Sequence, residues 1–286
     1  MTIGRYRRGS RTCALLAATL VAMASSAWAQ DSHVQEKAWK LSTAVGPAFA
    51  LGIAGERWAK LIAERAGGKL AVKVFPGAVL AKRDPAREFL ALRDGAAELA
   101  VGSSLYWAAQ VAELNVIGLP WIVGDAKALD ALVIGPVKAQ LDAAIDRAGA
   151  VALAYAPLGL RALATTTVAV QAPADLAGLK VRTAWTPLLT DVFMTLSAEP
   201  RTLSFADAQA AFAAGTLNAQ EGTPATFAAA RLDALGVRHV VLWGAIAEIA
   251  VFAVLVASVA SAVSIRGWKP NSASRRASAL SAAPSC

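Results

Sequence analysis

Between Trp39 and Gly102 the chain alternates between the two hydrophobic periods of regular structure, with short links, and this rhythm restricts the fold more than any other feature of the sequence. Ala38-Trp39-Lys40-Leu41-Ser42-Thr43-Ala44 alternates as a strand, and Gly46-Pro47 ends it. From Ala48 to Ala66 the apolar residues Leu51, Ala54, Trp58, Leu61 and Ile62 share one helical face, while Glu56, Lys60 and Glu64 line the other at i,i+4 steps. Gly67-Gly68 stops that helix. Leu70, Val72 and Val74 then alternate as a second strand, turned by Pro76-Gly77. Asp84-Pro85 opens a second helix, with Asp as N-cap and Pro at the first position, and Gly95 lies just past its end. Glu98–Gly102 is a third strand. Strand, helix, strand, helix, strand with such links implies parallel pairing in an open α/β sheet, whose ligands sit beyond the carboxyl ends of the strands. Ser103, Ser104, Tyr106 and Trp107 follow the third strand directly, where they offer hydroxyls and an aromatic wall to a ligand or else pack as a surface loop.

The rest of the chain continues in the same manner. Leu119-Pro120-Trp121 is a loop, and the helical segment up to Arg147 is interrupted at Gly135-Pro136. Val151–Ala156 is a buried strand, after which Pro157-Leu158-Gly159-Leu160-Arg161 changes character and marks a domain crossover. In Leu179–Thr183, Leu179 and Val181 point one way and Lys180 and Arg182 the other. A helix from Pro187 to Ala198, a strand through Glu199-Pro200-Arg201, a helix capped at Ser204 and ending at Gly215, and the stretch Leu217–Pro224 complete a second α/β unit.

Charge argues against nucleic acid. The formal net charge is +8, but residues 1–30 carry four arginines and residues 266–286 four basic residues, neither with an acid, so residues 31–265 are neutral. The start of the chain reads as a secretory signal, residues 1–29: basic up to Arg11, apolar from Cys13 to Ala24, then Ala27-Trp28-Ala29 as a cleavage site. Cleavage there leaves Cys286 as the single cysteine, so an exported chain of this size depends on its core and not on a disulfide. Enzyme chemistry finds little support. The two histidines, His33 and His239, have no metal-ligand spacing, and there is no nucleophile elbow, phosphate loop or dinucleotide fingerprint. No cofactor is expected.

Arginine is the side chain best suited to grip a carboxylate, since its planar fork makes two parallel hydrogen bonds and keeps its charge when buried. On residues alone Arg182 reads either as such a clamp or as half of an ion pair with a neighbouring acid. Gly159-x-Arg161, the stretch Asp175-Leu176-x-Gly178-Leu179-Lys180-Val181-Arg182, and Ala211-Phe212-x-x-Gly215-x-Leu217-x-x-Gln220-Glu221 with Pro224 stand in one order. Together with the run from Gly95 to Pro120 they resemble the DctP-type solute-binding proteins of TRAP (tripartite ATP-independent periplasmic) transporters. The resemblance covers residues 38–254.

It implies a hinged two-domain periplasmic-binding-protein fold with mostly parallel sheets. Domain I would be residues 30–158, domain II 159–241, and 242–254 a return to domain I. The chain would close as a monomer over a small organic-acid anion and pass it to the ion-driven TRAP membrane subunits. Arg182 would hold the substrate carboxylate, assisted by Arg161, with Ser103, Tyr106, Trp107, Glu221 and Gly222 around it. Two positions depart from the family pattern: Gly222, where an Asn is common, and Gly102, where some members carry an acid.

Val240–Val263 is apolar apart from Glu248 and is followed by basic residues only. It is long enough to cross a bilayer, which would make the protein a single-pass anchor or sensor. It also reads as two consecutive buried strands turned at Gly244. Beyond Val254 the resemblance stops, and residues 255–286 are expected to be a non-homologous, frame-shifted replacement of the family's C-terminal helices. That would leave apolar surface on domain I uncovered.

Overall fold

The computed structural model describes residues 38–67 and 69–258. The expected signal and cleavage site, and the tail from residue 259 onward, lie outside the described residues. Two five-stranded sheets organise the chain. The first holds β1 (Trp39–Thr43), β2 (Val72–Phe75), β3 (Leu99–Ser103), β4 (Ala150–Leu160) and β10 (Ala247–Leu255), in the order β2-β1-β3-β10-β4. The second holds β5 (Ala162–Thr165), β6 (Lys180–Thr183), β7 (Glu199–Thr202), β8 (Ala219–Gly222) and β9 (His239–Val241), in the order β7-β6-β8-β5-β9.

Helices α1 (Ala50–Arg65), α2 (Glu88–Arg93), α3 (Ser104–Trp107), α4 (Asn115–Gly118), α5 (Ala126–Ile134) and α6 (Pro136–Arg147) belong to the first lobe. The second has α7 (Pro187–Thr195), α8 (Phe205–Ala213) and α9 (Pro224–Ala229). Local chemistry places them. Asp125, Thr186, Ser204 and Thr223 each accept a backbone N–H at a helix start, and Pro136, Pro187 and Pro224 occupy first-turn positions where a missing N–H costs nothing. The interruption at Gly135-Pro136 separates α5 from α6, as the sequence indicates.

Parallel pairing holds for β1 with β2 and β3, and for β6 with β7 and β8. The antiparallel members are the strands that enter each sheet from the other. The chain leaves the first sheet at the end of β4, passes through Arg161 alone, and enters the second as β5. It returns through 242–246, from β9 to β10, and β10 runs antiparallel to both β3 and β4. The two crossings are tied together, since the Arg161 N–H donates to the Ile246 carbonyl at 2.7 Å.

β4 is longer than the sequence suggests. It continues through Pro157, which pairs with Ile249, because β4 is the edge strand and a proline there costs no interior ladder bond. A register shift at Glu248/Ile249 leaves Leu158 without a pairing partner, and Gly159 takes φ 109°, a backbone region suited to glycine.

Val240–Val263 therefore resolves, as far as residue 258, into β9, a turn through Gly244 and β10, with a short helical turn at 256–258. No helix among the described residues is long and apolar enough to cross a membrane. β10 is interior to its sheet and nearly all buried, the situation in which a strand reads as a continuous apolar run.

The core of the first lobe gathers Leu41, Phe89, Leu92, Leu99, Val101, Leu105, Trp107, Ile117 and the inner residues of β10. Trp107 does not face a ligand as the sequence reading expected. On α3 it turns inward from its neighbour Tyr106, folds over Gly102 and packs edge-on against Phe89 at 5.2 Å. A Cβ at position 102 would lie 2.0 Å from Trp107 Cε2, so an acidic residue there and this placement of the indole exclude each other.

The same core buries Glu88. Its carboxyl accepts from Ser42 Oγ at 2.9 Å and from Trp107 Nε1 at 3.4 Å, and among the described residues it has no salt-bridge partner. Burial outweighs both hydrogen bonds and lifts its pKa from 4.5 to about 8. The folded state then holds a proton that the unfolded state has released, so Glu88 lowers stability as pH rises between the two values, by at most about 1.4 kcal/mol per pH unit. Urea melts of wild type and Glu88→Gln are expected to diverge from about pH 5 to about pH 8, with the variant gaining relative stability as pH rises.

Candidate functional site

A cleft of about 530 Å3, counted with its open mouth, lies where the two lobes meet and is walled by residues of both. From the first lobe come Val45, Phe49, Ala50 and Leu51 after β1, Tyr106 of α3, Leu158 of β4 and Glu248 of β10. Arg161 enters from the crossing, and Arg182, Phe205, Thr223, Ala225 and Thr226 come from the second lobe. Val45, Tyr106, Arg182 and Thr223 among them stand at or just beyond the carboxyl ends of β1, β3, β6 and β8, the position expected for ligands of an open α/β sheet. Leu158, left unpaired by the register shift, reaches the cleft wall.

The two arginines are both buried, and they are held in opposite ways. Arg161 is saturated with negative charge. Its Nε and Nη2 donate to the two carboxylate oxygens of Glu221, the latter at 2.7 Å, and its Nη1 donates to Glu248. Ser103 Oγ donates to the other oxygen of Glu248 and also caps α3 at Leu105. Burial by itself would depress the Arg161 pKa, but the Glu221 and Glu248 carboxylates overcome it and hold the pKa above the ordinary value.

Arg182 has no salt-bridge partner among the described residues. Its Nε donates to the Leu203 carbonyl at 3.0 Å, its guanidinium lies 4.2 Å over the Phe205 ring, and Tyr106 stands with it on the cleft wall. Phe205 in turn stacks on Phe49 of the first lobe at 4.6 Å. Burial lowers the pKa of Arg182, and the nearby Arg161 charge adds to this, against the opposing pull of Tyr106 and Glu221. Burial also raises that of Tyr106, against the pull of the Arg182 charge.

Of the residues singled out from the sequence, Arg161, Arg182 and Tyr106 thus converge on the cleft. Ser103 and Glu221 stand behind its wall and fix Glu248 and Arg161. Trp107 is in the core. Gly222 also lies behind the wall, because the Phe227 ring fills the space where its side chain would be, 3.0 Å from an added Cβ. The sequence reading missed Glu248, although the signal was present as the single charge in an apolar run. It also missed Phe49 and Phe205, whose pairing across 156 positions of chain has no local signal.

A family model described as bacterial extracellular solute-binding protein, family 7, matches residues 41–235. A TRAP periplasmic solute-binding protein from Ralstonia eutropha, solved with bound (S)-2-acetolactate, is 39% identical, with a TM-score of 0.76 over 84% of this chain and 74% of that one. A second, from Sulfitobacter with bound β-D-galacturonate, has the same fold at 20% identity and a TM-score of 0.73, covering 85% of this chain and 80% of that one. The 2,3-diketo-L-gulonate-binding periplasmic protein of Escherichia coli is 28% identical over 169 residues, 59% of this chain and 51% of that protein. The matches span between 33% and 59% of the length of the first curated relatives.

The contrast between the arginines predicts their effects on stability without ligand. Arg161→Met leaves Glu221 and Glu248 buried without their cation and is expected to cost about 3–5 kcal/mol in urea denaturation. Arg182→Met strands no carboxylate and is expected to cost much less in the same measurement.

Proposed function

The chain belongs to bacterial extracellular solute-binding protein family 7, and from that premise we propose that it captures a small organic-acid anion in the cleft, with Arg182 as the carboxylate clamp, for delivery to the membrane subunits of a TRAP transporter. The observation that carries this reading is a buried guanidinium on the cleft wall with no salt-bridge partner among the described residues and only neutral groups orienting it. Leaving such a charge unpaired is unfavourable, and a carboxylate entering the cleft removes that cost while gaining charge-assisted hydrogen bonds.

Tyr106, Thr223 and Thr226 supply hydroxyls, and Phe49, Phe205 and Leu158 supply apolar contact. The crossings at Arg161 and 242–246 would serve as the hinge, with the Phe49–Phe205 stack as a contact made when the lobes approach. Export by the N-terminal signal would place the protein in the periplasm.

A thermal-shift screen of monocarboxylates, dicarboxylates, keto acids and sugar acids tests the reading. A ligand at a hundredfold its dissociation constant stabilises by about 2.7 kcal/mol. Arg182→Ala is expected to abolish the shift, and Arg182→Lys, which keeps the charge but not the fork, to weaken it strongly. A full response of Arg182→Ala to the same acid would refute the assignment.

A further inference from the structure

The cleft is charge-balanced before any anion enters. Two arginines, Arg161 and Arg182, face two glutamates, Glu221 and Glu248, and both glutamates are bound to Arg161. One cation is therefore left for a ligand. A second carboxylate on the same ligand would meet apolar wall at Phe49, Leu51 or Leu158, uncharged hydroxyls at Tyr106, Thr223 or Thr226, or Glu248, whose carboxylate is itself part of the wall; none of these offers it a positive charge. Glu248 cannot swing away cheaply. One oxygen is held by Ser103 and the other by Arg161, and β10 is interior to its sheet.

Resting on the carboxylate reading above, we propose that Glu248 is a specificity-determining residue that restricts this cleft to small monocarboxylates and rejects dicarboxylates. The mechanism is repulsive. Glu248 occupies the remaining capacity of Arg161, which would otherwise be the second cation available to a diacid, and it presents a like charge in a site poorly screened by water. The accepted class is a short monocarboxylate whose body is apolar or carries hydroxyl or keto oxygens, with the carboxylate on Arg182.

Acid pairs that differ only by a terminal methyl or carboxylate provide the test: 2-hydroxybutanoate against malate, and 2-oxopentanoate against 2-oxoglutarate, by calorimetry on the full chain. Wild type is expected to bind the monoacid of a pair at least about a hundredfold more tightly than the diacid. Glu248→Gln keeps the size of the side chain and its contact with Ser103, and is expected to reduce that ratio to below about tenfold, through a gain in diacid affinity.

Equal or tighter binding of the diacid by wild type would overturn the proposal while leaving Arg182 as a carboxylate clamp, and this ratio decides even if the variant does not fold. A ratio unchanged in a cooperatively melting Glu248→Gln would overturn it too. Absence of binding by any acid of the pairs or of the broader screen would remove the carboxylate reading and this proposal together.

Discussion

The ion triad Glu221–Arg161–Glu248 is the interaction on which the two-lobed arrangement and its cleft depend. Arg161 is itself one crossing between the sheets, Glu248 lies two residues beyond the other, and Glu221 sits near the carboxyl end of β8 in the second lobe. A single guanidinium therefore fixes one crossing to a strand of each sheet, β8 and β10, and the Arg161 N–H to Ile246 bond adds a backbone tie between the crossings. Buried ion pairs often contribute little net stability compared with well-packed apolar replacements, because desolvation offsets attraction. What this one contributes is position. An apolar cluster at the crossings would tolerate several relative placements of the lobes, whereas a fork bound to one carboxylate and a third nitrogen bound to another tolerate very few.

The triad also sets the chemistry of the cleft by what it leaves over. With Arg161 committed to two acids, the positive charge available to a ligand is that of Arg182. The groups that hold Arg182 are a carbonyl and an aromatic face, which orient the guanidinium without neutralising it. The opposite directions of the two arginine pKa shifts express this division: neighbouring carboxylates raise that of Arg161, and burial lowers that of Arg182. A cation held ready in a poorly solvated wall is the arrangement in which an entering anion gains most and the protein reorganises least.

Much of the scaffold was legible because it is governed by local rules. The 3.6 and 2.0 periods located α1 and β1–β3, and the cap at Ser204 and the prolines at helix starts marked α6, α7 and α8; β5 and the short helices α3 and α4 carry no such local signal. The cleft was legible only in its two arginines and Tyr106. Its other parts are set by contacts between distant segments: Arg161 reaches Glu221 across 60 positions and Glu248 across 87. Trp107 shows the limit from the other side. Adjacent residues on a helix point about 100° apart, so Tyr106 and Trp107 could not both face the ligand. Which one turned inward was decided by the absence of a side chain at Gly102, a feature the sequence displays but local pattern cannot interpret.

The apolar run containing Glu248 shows why hydropathy by itself could not choose between a membrane span and buried strands. Both environments exclude water from the side chains, so both select the same residues; they differ in how backbone polar groups and charges are satisfied. In a span the helix satisfies its own backbone, and a carboxylate halfway along needs a partner from another helix. Here the backbone of β10 is satisfied by β3 on one side and β4 on the other, and Glu248 finds its partner in Arg161, which the fold brings opposite it at the crossing. The lone charge was therefore the informative residue of the run. The burial that makes a single glutamate conspicuous in an apolar strand is also what requires the arginine beside it, and that pairing leaves Arg182 as the cation of the cleft without a carboxylate of its own.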